Sequence, residues 1–181
     1  MIEVRPARVA DAPAIAAVHV AAWRSAYAGV LPELFLAKLS APRQAAHYRS
    51  EMMHGHAGIV AVAGGHVVGF VTMGPSRSSL AEGEIETLYV LDDWRERGLG
   101  RRLMHAAAQH LAASGCSSAF LWVLRDNPSR WFYERLRGHQ VASGKTLVAG
   151  VWVAKDAYVW HPIDFLLQMP AAPPESPEVP D

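Results

Sequence analysis

The spacing of apolar residues predicts mainly helices in the first third of the chain. A short strand is expected at 2–5, and over about 11–27 apolar residues recur every three or four positions, as on the buried face of a helix. Gly29 interrupts this pattern. Two shorter helices are expected after it, at about 34–39 and 42–54.

From residue 57 onward the pattern changes to the alternation and short apolar runs that are typical of strands. Gly64-Gly65 predicts a tight hairpin, and 74–83 is expected to be a loop. Strands are expected at 58–63, 66–73, 84–91, 119–124, 141–142 and 148–160. A long helix at 98–114 and a shorter one at 129–136 are expected between the later strands.

This order of elements predicts a mixed α/β (α+β) fold in which helices flank a central sheet. Strands 84–91 and 119–124 are joined by one helix, so they should be parallel with a right-handed crossover. At 181 residues the chain has the length of one domain. We expect that domain to cover 1–168, and the Pro- and Glu-rich segment 169–181 to be a disordered tail.

Composition and charge argue against nucleic-acid and membrane binding. The chain carries 17 Lys and Arg against 17 Asp and Glu, so it lacks the basic excess of a nucleic-acid binder. Its apolar runs are shorter than the roughly 18–20 residues that a membrane-spanning helix needs. The single cysteine, Cys116, has no intrachain partner, and the N-terminus has no apolar signal core, so a cytoplasmic location is expected.

The most informative stretch is Arg95-Glu96-Arg97-Gly98-Leu99-Gly100-Arg101-Arg102, between a predicted strand and the long helix. Glycines at such a turn let the backbone approach a ligand closely, because no Cβ intervenes. The first N–H groups of a helix have no intrahelical partners and lie at the positive end of its dipole, which favours phosphate. The turn therefore predicts a diphosphate site, although a simple connection can also contain Gly-x-Gly.

Two common phosphate-binding motifs do not fit this turn. A Walker A loop requires Gly-Lys-Ser/Thr, which is absent here. A Rossmann fingerprint requires a small residue where Leu103 stands, together with an early strand–helix–strand unit.

The residues around the turn resemble the acetyl-CoA-binding motif of the GCN5-related N-acetyltransferase (GNAT) family. Glu84-Ile85-x-x-Leu88-Tyr89-Val90 precedes the turn, and Arg95-x-x-Gly98-x-Gly100-x-x-Leu103 forms it. A second block, Asn127 to Glu134, is similar to the family's loop and helix with Phe-Tyr-Glu. The resemblance covers about residues 2–167. It implies a GNAT-like acyl-CoA N-acyltransferase fold, with about six to seven strands in a twisted mixed sheet.

One departure from the family pattern lies at the end of the second helix. The family usually has glycine there, whereas this chain has Arg137 before Gly138. A helix end that normally takes glycine adopts the left-handed backbone region, so Arg137 is expected to be strained.

The resemblance implies acetyl-CoA as co-substrate. Backbone N–H groups between Arg97 and Arg102 would bind its diphosphate. The four nearby arginine side chains cannot all touch it, and an arginine on a helix surface is usually only solvated. The preceding strand would separate from its parallel neighbour, so that freed N–H groups contact the pantetheine arm and the N–H of Val90 stabilises the oxyanion. The residues expected at the cofactor are Leu88, Tyr89, Val90, Arg95, Arg97, Gly98, Leu99, Gly100, Arg101, Arg102, Asn127, Ser129 and Tyr133.

Three side chains are candidates for proton transfer. The resemblance places the Tyr133 hydroxyl near the sulfur of CoA as a general acid, with packing beside Trp131 and Phe132 as the alternative role. A lysine-like amine has a pKa of about 10.4 and must lose a proton before it attacks. Glu84 and Glu86 share one face of their strand, and either can act as the base. The family pattern favours Glu84, which leaves the other carboxylate solvated or in contact with a cationic substrate.

The acceptor is not determined by the sequence. In one bacterial branch of the family the first two helices wall the acceptor pocket, so Trp23 and Tyr27 are expected to line it. His54 and His56 have a ligand-like spacing without a cluster of carboxylates or cysteines beside them, and no metal is expected. Homodimers are common in the family, and dimerisation is left open.

Two functions from different classes follow. The first is transfer of an acetyl group from acetyl-CoA to a primary amine of a small molecule or a protein, by direct attack on the thioester. The second is a non-catalytic acyl-CoA-binding or regulatory module on the same fold. Tyr133 and an available strand carboxylate favour the first. A nucleotide-binding protein that uses the glycine turn is a third hypothesis, and the length of the acyl group stays open.

Overall fold

A computed structural model describes residues 1–169, which form a seven-stranded sheet with helices on both faces. The strands are β1 (Ile2–Pro6), β2 (Ala57–Ala63), β3 (His66–Pro75), β4 (Gly83–Val90), β5 (Ala119–Leu124), β6 (His139–Val148) and β7 (Val151–Trp160). The helices are α1 (Ala12–Ala26), α2 (Glu33–Ala37), α3 (Ala41–Met53), α4 (Leu99–Ala113), α5 (Arg130–Arg135) and α6 (Asp164–Leu167). The predicted mixed α/β class is confirmed.

The strand order across the sheet is β1-β2-β3-β4-β5-β7-β6. All neighbouring strands are antiparallel except β4 and β5, which are parallel as predicted. Helix α4 connects these two strands, as the order along the chain requires. The glycine turn and α4 therefore begin at the end of a central strand, where a ligand can reach both the sheet and the helix.

The larger core lies between the sheet and α4. Leu99, Leu103, Met104, Ala107, Ala108 and Leu111 are buried on a single face of α4. Their spacing of three and four residues places them along one stripe, which explains why this segment is helical. They pack against strand residues such as Val71, Ile85 and Leu121.

A second core lies on the opposite face of the sheet, beneath α1 and α3. Ile15 and Val18 of α1, together with Tyr48 of α3, pack against Val60 and Phe70 of the sheet. A third cluster, which includes Tyr27, Leu36 and Val153, extends this layer across α2 toward β7. The sheet thus separates an α4 face from an α1/α3 face.

The expectations for the last two strands are wrong in their bounds. We expected strands at 141–142 and 148–160, whereas β6 and β7 are ten residues each and form a hairpin. Ala149 and Gly150 make the turn with φ values of 51° and 79°. Alanine rarely adopts a positive φ, so this pair gave no turn signal. The polar, exposed β6 also lacks an apolar run by which a strand would be recognised.

Other bounds differ by a few residues. The expected loop 74–83 is shorter, because β3 continues to Pro75 and β4 begins at Gly83. The predicted tail 169–181 lies outside the described residues from position 170 onward. The strained conformation expected for Arg137 is confirmed, since its φ is 64°.

Replacing Gly138 with alanine should destabilise the protein. The new Cβ would lie 2.8 Å from Cζ2 of Trp160 and 3.0 Å from the carbonyl oxygen of Tyr133. Trp160 is fully buried and cannot move aside. Overpacking of this kind lowers the free energy of unfolding by about 1–3 kcal/mol. For a chain of this length, each kcal/mol lost lowers Tm by roughly 2–4 °C.

Gly144→Ala is the matched control for this experiment. At that position in β6 a Cβ would meet only Cε of Lys155, at 3.8 Å. Its free energy of unfolding, measured in urea, should not fall, because removing a strand glycine is neutral or favourable. Equal destabilisation of both variants would contradict the packing described around Gly138.

Candidate active site

The central feature of the site is a gap between β4 and β5. Within the described residues these two strands pair at only two positions, Gly83 with Ala119 and Glu84 with Phe120. Beyond these pairs the strands separate, although β4 continues to Val90 and β5 to Leu124. Unpaired backbone groups inside a sheet are costly unless another partner takes their hydrogen bonds. The gap is therefore a place where a ligand can bind as an extra strand would.

The register of β4 fixes which N–H groups point into this gap. The N–H of Leu91 donates to the carbonyl oxygen of Val68 at 2.9 Å, on the β3 side. Successive residues of a strand alternate in the direction of their N–H groups, so Tyr89 also faces β3. The N–H groups of Leu88 and Val90 consequently face the gap. This is the direction that the sequence-based role of Val90 requires.

The side chains of β4 divide between the two faces of the sheet. Ile85 lies in the core on the α4 face, and Leu88 and Val90 pack against that core. The pairing with β3 shifts register at Glu86, where a β-bulge adds one residue. Glu84, Glu86 and Tyr89 therefore lie on the α1/α3 face, and the predicted shared face of the two glutamates is confirmed.

The two glutamates differ in their surroundings. Glu84 is half-buried, and burial raises its pKa, with repulsion from Glu86 as a second cause and attraction to Lys155 opposing both. Glu86 is exposed, and one of its carboxylate oxygens lies 3.8 Å from Nδ1 of His56. A carboxylate with a raised pKa accepts a proton more readily near neutral pH than an ordinary one. Glu84 thus has the environment expected of a base.

A cavity of about 130 Å³ opens beside Glu86, between α3 and strands β2, β3 and β4. Much of its wall is apolar, with Ile15, Met52 and Phe70 among the lining residues. Its rim is acidic, because Glu51 lines it together with Glu86. Nδ1 of His56 lies 3.2 Å from a carboxylate oxygen of Glu51, so this ring is between the carboxylates of Glu51 and Glu86.

Tyr133 lies in α5 and belongs to the core cluster against which Leu88 and Val90 of β4 pack. It is 6% exposed and packs edge-on against Phe132 and Trp160. Its hydroxyl makes no hydrogen bond to any residue within 1–169, and no fully buried polar atom in this range lacks a partner, so the hydroxyl reaches the surface. Burial, with smaller contributions from Tyr89 and Tyr27, raises the pKa of Tyr133. The group is therefore protonated at neutral pH and able to donate a proton.

On the α1/α3 face, Trp23 of α1 and Tyr27, the residue that follows this helix, bond to β4 and to the β5–α5 loop. Nε1 of Trp23 donates a hydrogen bond of 2.8 Å to the hydroxyl of Tyr89. The amide of Asn127 donates to the hydroxyl of Tyr27 at 3.0 Å, while its oxygen accepts from the N–H of Ser129 at 2.8 Å. The side chain of Asn127 thus fixes the β5–α5 loop to α1, and both of its polar ends are engaged.

The glycine turn has the form expected of an anion site. Gly98 has a φ of 73°, a conformation that favours glycine, and α4 begins immediately after it. Arg102 donates the first bond of the helix, to the carbonyl oxygen of Gly98. The N–H groups of Leu99, Gly100 and Arg101 therefore have no acceptor within the helix. A Cβ on Gly100 would lie 3.1 Å from the Phe132 ring, so this glycine also lets α4 approach α5.

The four arginines near the turn have different partners. Arg95 is paired with Asp92 at 3.0 Å, and the Arg97 guanidinium lies 5.2 Å from the centre of the Trp94 ring. Arg102 donates to the carbonyl oxygen of Ile2, at the far edge strand. Arg101 lines an open depression beside α5. The free backbone N–H groups of the turn therefore lie together, whereas the four arginine side chains point in different directions.

Several residues near the gap were not found by sequence reasoning. Nδ1 of His19, in α1, shares a 2.7 Å hydrogen bond with the hydroxyl of Tyr48. Burial lowers the pKa of His19 to about 4. The ammonium group of Lys155 lies over the ring of Trp122 in β5, with Nζ 4.1 Å from the ring centre. These residues come from four distant segments, so no local motif marks them. Only alternation along β5 could have placed Trp122 on the face opposite to the buried Leu121 and Val123.

Neither a metal cluster nor a membrane span is found within residues 1–169. No group of three or more histidine, cysteine, aspartate or glutamate side chains in this range could hold a metal ion. No helix in the same range combines the length and apolar character needed to cross a bilayer.

Comparisons with known proteins agree with the fold and the glycine turn. Residues 20–139 match the model of the Acetyltransferase (GNAT) family. The uncharacterized N-acetyltransferase YuaI of Bacillus subtilis is 33% identical over 171 residues, which cover 92% of this chain and 96% of that protein. The probable N-acetyltransferase Rv2775 of Mycobacterium tuberculosis is 28% identical over 142 residues, covering 76% of this chain and 80% of that protein.

Among solved structures, yncA of Salmonella typhimurium with its cofactor acetyl-CoA is similar with a TM-score of 0.67. The two sequences are 19% identical, and the match covers 97% of this chain and 99% of that chain. At this identity the likeness concerns the fold. Together with the family match over the gap and the turn, these findings confirm the resemblance seen in the sequence: the chain belongs to the acetyltransferase (GNAT) family.

Proposed function

We propose that this acetyltransferase moves an acetyl group from acetyl-CoA to a primary amine across the gap between β4 and β5. The observation that carries the proposal is the inward-pointing N–H of Val90, with Glu84 on one face of the sheet and Tyr133 beyond the gap. The thioester arm takes the position of the missing strand. The diphosphate binds the free N–H groups of Leu99, Gly100 and Arg101.

The proposed reaction needs a base, an oxyanion donor and an acid. Glu84 takes a proton from the ammonium group of the acceptor, directly or through water. The amine nitrogen attacks the thioester carbonyl, and the N–H of Val90 stabilises the negative charge on its oxygen. The C–S bond then breaks, the sulfur takes a proton from the hydroxyl of Tyr133, and the second amine proton passes to solvent. Protonation aids departure only modestly, since a thiol has a pKa of about 8.5.

The acceptor enters from the α1/α3 face, where the cavity beside Glu86 opens. The acidic rim formed by Glu51 and Glu86 attracts cationic amines and repels acidic ones. The apolar wall below it accommodates an aliphatic or aromatic part of the acceptor. Trp23 and Tyr27, which the resemblance to the family assigned to the acceptor pocket, do not line this cavity. They bond instead to Tyr89 and to Asn127 of the β5–α5 loop.

The alternative, a non-catalytic acyl-CoA-binding module, has less support. Such a module requires the gap and the turn. It does not require the half-buried carboxylate of Glu84, with its raised pKa, or the unengaged hydroxyl of Tyr133. Both groups border the gap: Glu84 is in the last pair between β4 and β5, and Tyr133 lies in the core cluster against which Leu88 and Val90 pack. A catalytic role explains them together.

Domain extent, location and assembly belong to the same proposal. We take residues 1–168 as one acetyltransferase domain. A cytoplasmic location suits the free thiol of Cys116, which persists in a reducing compartment. Dimerisation, common in the family, is tested by light scattering of the full chain.

Release of free CoA with a panel of amines tests the proposed function. Incubation with acetyl-CoA should release thiol only when a primary amine is present, in equal amount to the acetylated amine found by mass spectrometry. Because the rim is acidic, cationic alkyl- and arylalkylamines should react faster than amino acids that carry a free carboxylate. Binding of acetyl-CoA without thiol release for any amine would favour the non-catalytic module instead.

Tyr133→Phe should lower kcat by about 10-fold or more, with little change in KM for acetyl-CoA, because it removes the proton donor but keeps the packed ring. Tyr158→Phe is the matched control. Its ring lies 6.0 Å from that of Tyr133, and its hydroxyl donates to Glu134 at 2.9 Å, away from the reaction. An unchanged kcat in Tyr133→Phe would remove Tyr133 from the mechanism.

The pH dependence of kcat/KM distinguishes the two glutamates. With Glu84 as the base, activity is lost as the pH falls through its raised pKa, and Glu84→Gln should abolish this acidic limb. Glu86→Gln removes a repulsion that raises the pKa of Glu84, so the limb should move to lower pH. Loss of the limb in Glu86→Gln, with its retention in Glu84→Gln, would assign the base to Glu86.

A further inference from the structure

Three arginines line one open depression of about 370 Å³ on the α4 side of the molecule. Arg101 comes from the first turn of α4, Arg135 is the last residue of α5, and Arg137 follows that helix. The segment that contains α6 completes the wall with Phe165, Gln168 and Met169. The depression thus joins the helix that begins at the glycine turn to the end of α5.

The positive charge of this depression is not neutralised by the described part of the chain. Within residues 1–169, no carboxylate lies within ion-pair distance of Arg101, Arg135 or Arg137. Arg135 and Arg137 are exposed, so water screens their mutual repulsion, and their guanidinium groups remain available to an anion that enters the depression. Several guanidinium groups around one small concavity match a group with several charged oxygens, such as a phosphate monoester.

The backbone of Arg137 gives a second, independent observation. Its φ is 64°, and its N–H donates to the carbonyl oxygen of Glu134 at 2.9 Å, while Gly138 donates to Tyr133. This is a helix end at which glycine costs nothing, whereas a residue with a Cβ is disfavoured there. No hydrogen bond of its side chain to residues 1–169 compensates for this cost. A strained residue with an unengaged charge points to a use of that charge.

The depression lies next to the proposed diphosphate site. The backbone N–H of Arg101 is one of the three free groups at the start of α4, and the side chain of the same residue lines the depression. Gly100 packs against Phe132, one turn before the end of α5. In coenzyme A the 3′-phosphate is attached to the same ribose as the 5′-diphosphate, so the two groups are one sugar apart.

We propose that Arg101, Arg135 and Arg137 bind the 3′-phosphate of coenzyme A, a phosphate monoester, and so select CoA against its 3′-dephospho form. This inference rests on the proposed use of acetyl-CoA. It assigns to Arg137, the residue that departs from the family pattern, a function that offsets its strain.

Calorimetric titration of the full-length protein with CoA and with 3′-dephospho-CoA tests the proposal. The wild type should bind CoA about 10-fold or more tightly than the dephospho form, because charge-assisted bonds to the phosphate are lost. In Arg135→Gln/Arg137→Gly this ratio should fall to about one, with affinity for dephospho-CoA unchanged. Arg49→Gln, at an exposed arginine of α3, is the control and should keep the wild-type ratio.

Arg137→Gly separates binding from folding. Glycine relieves the positive φ, so Tm should rise by about 2–4 °C, while the preference for CoA over dephospho-CoA should fall. A purely structural role for Arg137 predicts no change in this preference.

Other results would overturn the proposal. Equal affinity of the wild type for both ligands means that the arginines do not bind the 3′-phosphate, even if inorganic phosphate binds to them. Failure of both CoA and dephospho-CoA to bind would overturn the proposed function as well.

Discussion

The separation of β4 from β5 is the constraint on which the rest of the structure depends. A sheet normally satisfies every inner backbone group, yet here the two central strands pair only through Gly83 and Glu84 within the described residues. The bulge at Glu86 contributes, because it turns the end of β4 and sets which side chains face each layer. The gap leaves the N–H of Val90 unpaired, close to the start of α4. The proposed donor binding, oxyanion stabilisation and access for the acceptor all depend on this opening.

The helices on either side hold the residues that border the gap by different means. On the α4 face, Tyr133 and Trp160 pack around Gly138, and this packing fixes the tyrosine hydroxyl near the surface. On the α1/α3 face, hydrogen bonds from Trp23 to Tyr89 and from Asn127 to Tyr27 span 66 and 100 residues of sequence. Charge follows the same division. The α1/α3 face presents the carboxylates of Glu84 and Glu86, whereas the α4 side presents arginines, in keeping with a cationic acceptor and an anionic donor.

Local patterns allowed much of the fold and the geometry of the glycine turn to be predicted. The face of α4 is encoded by apolar spacing, and the glycine turn is a contiguous motif, so both are visible without tertiary information. The hairpin at Ala149 was missed because alanine at positive φ carries no signal. The cavity beside Glu86 was also missed, since α3, β2, β3 and β4 meet there only after folding. Asn127 was expected at the cofactor, and its contact with Tyr27 depends on packing that no local pattern records.

A crystal structure of the complex with acetyl-CoA tests the central claim most directly. The account predicts that the pantetheine arm lies between β4 and β5, with the N–H of Val90 within hydrogen-bond distance of the thioester carbonyl oxygen and the hydroxyl of Tyr133 beside the sulfur. The diphosphate should contact the N–H groups that begin α4. An arm that lies along the outer surface, with β4 and β5 closed against each other beyond Glu84, would contradict it.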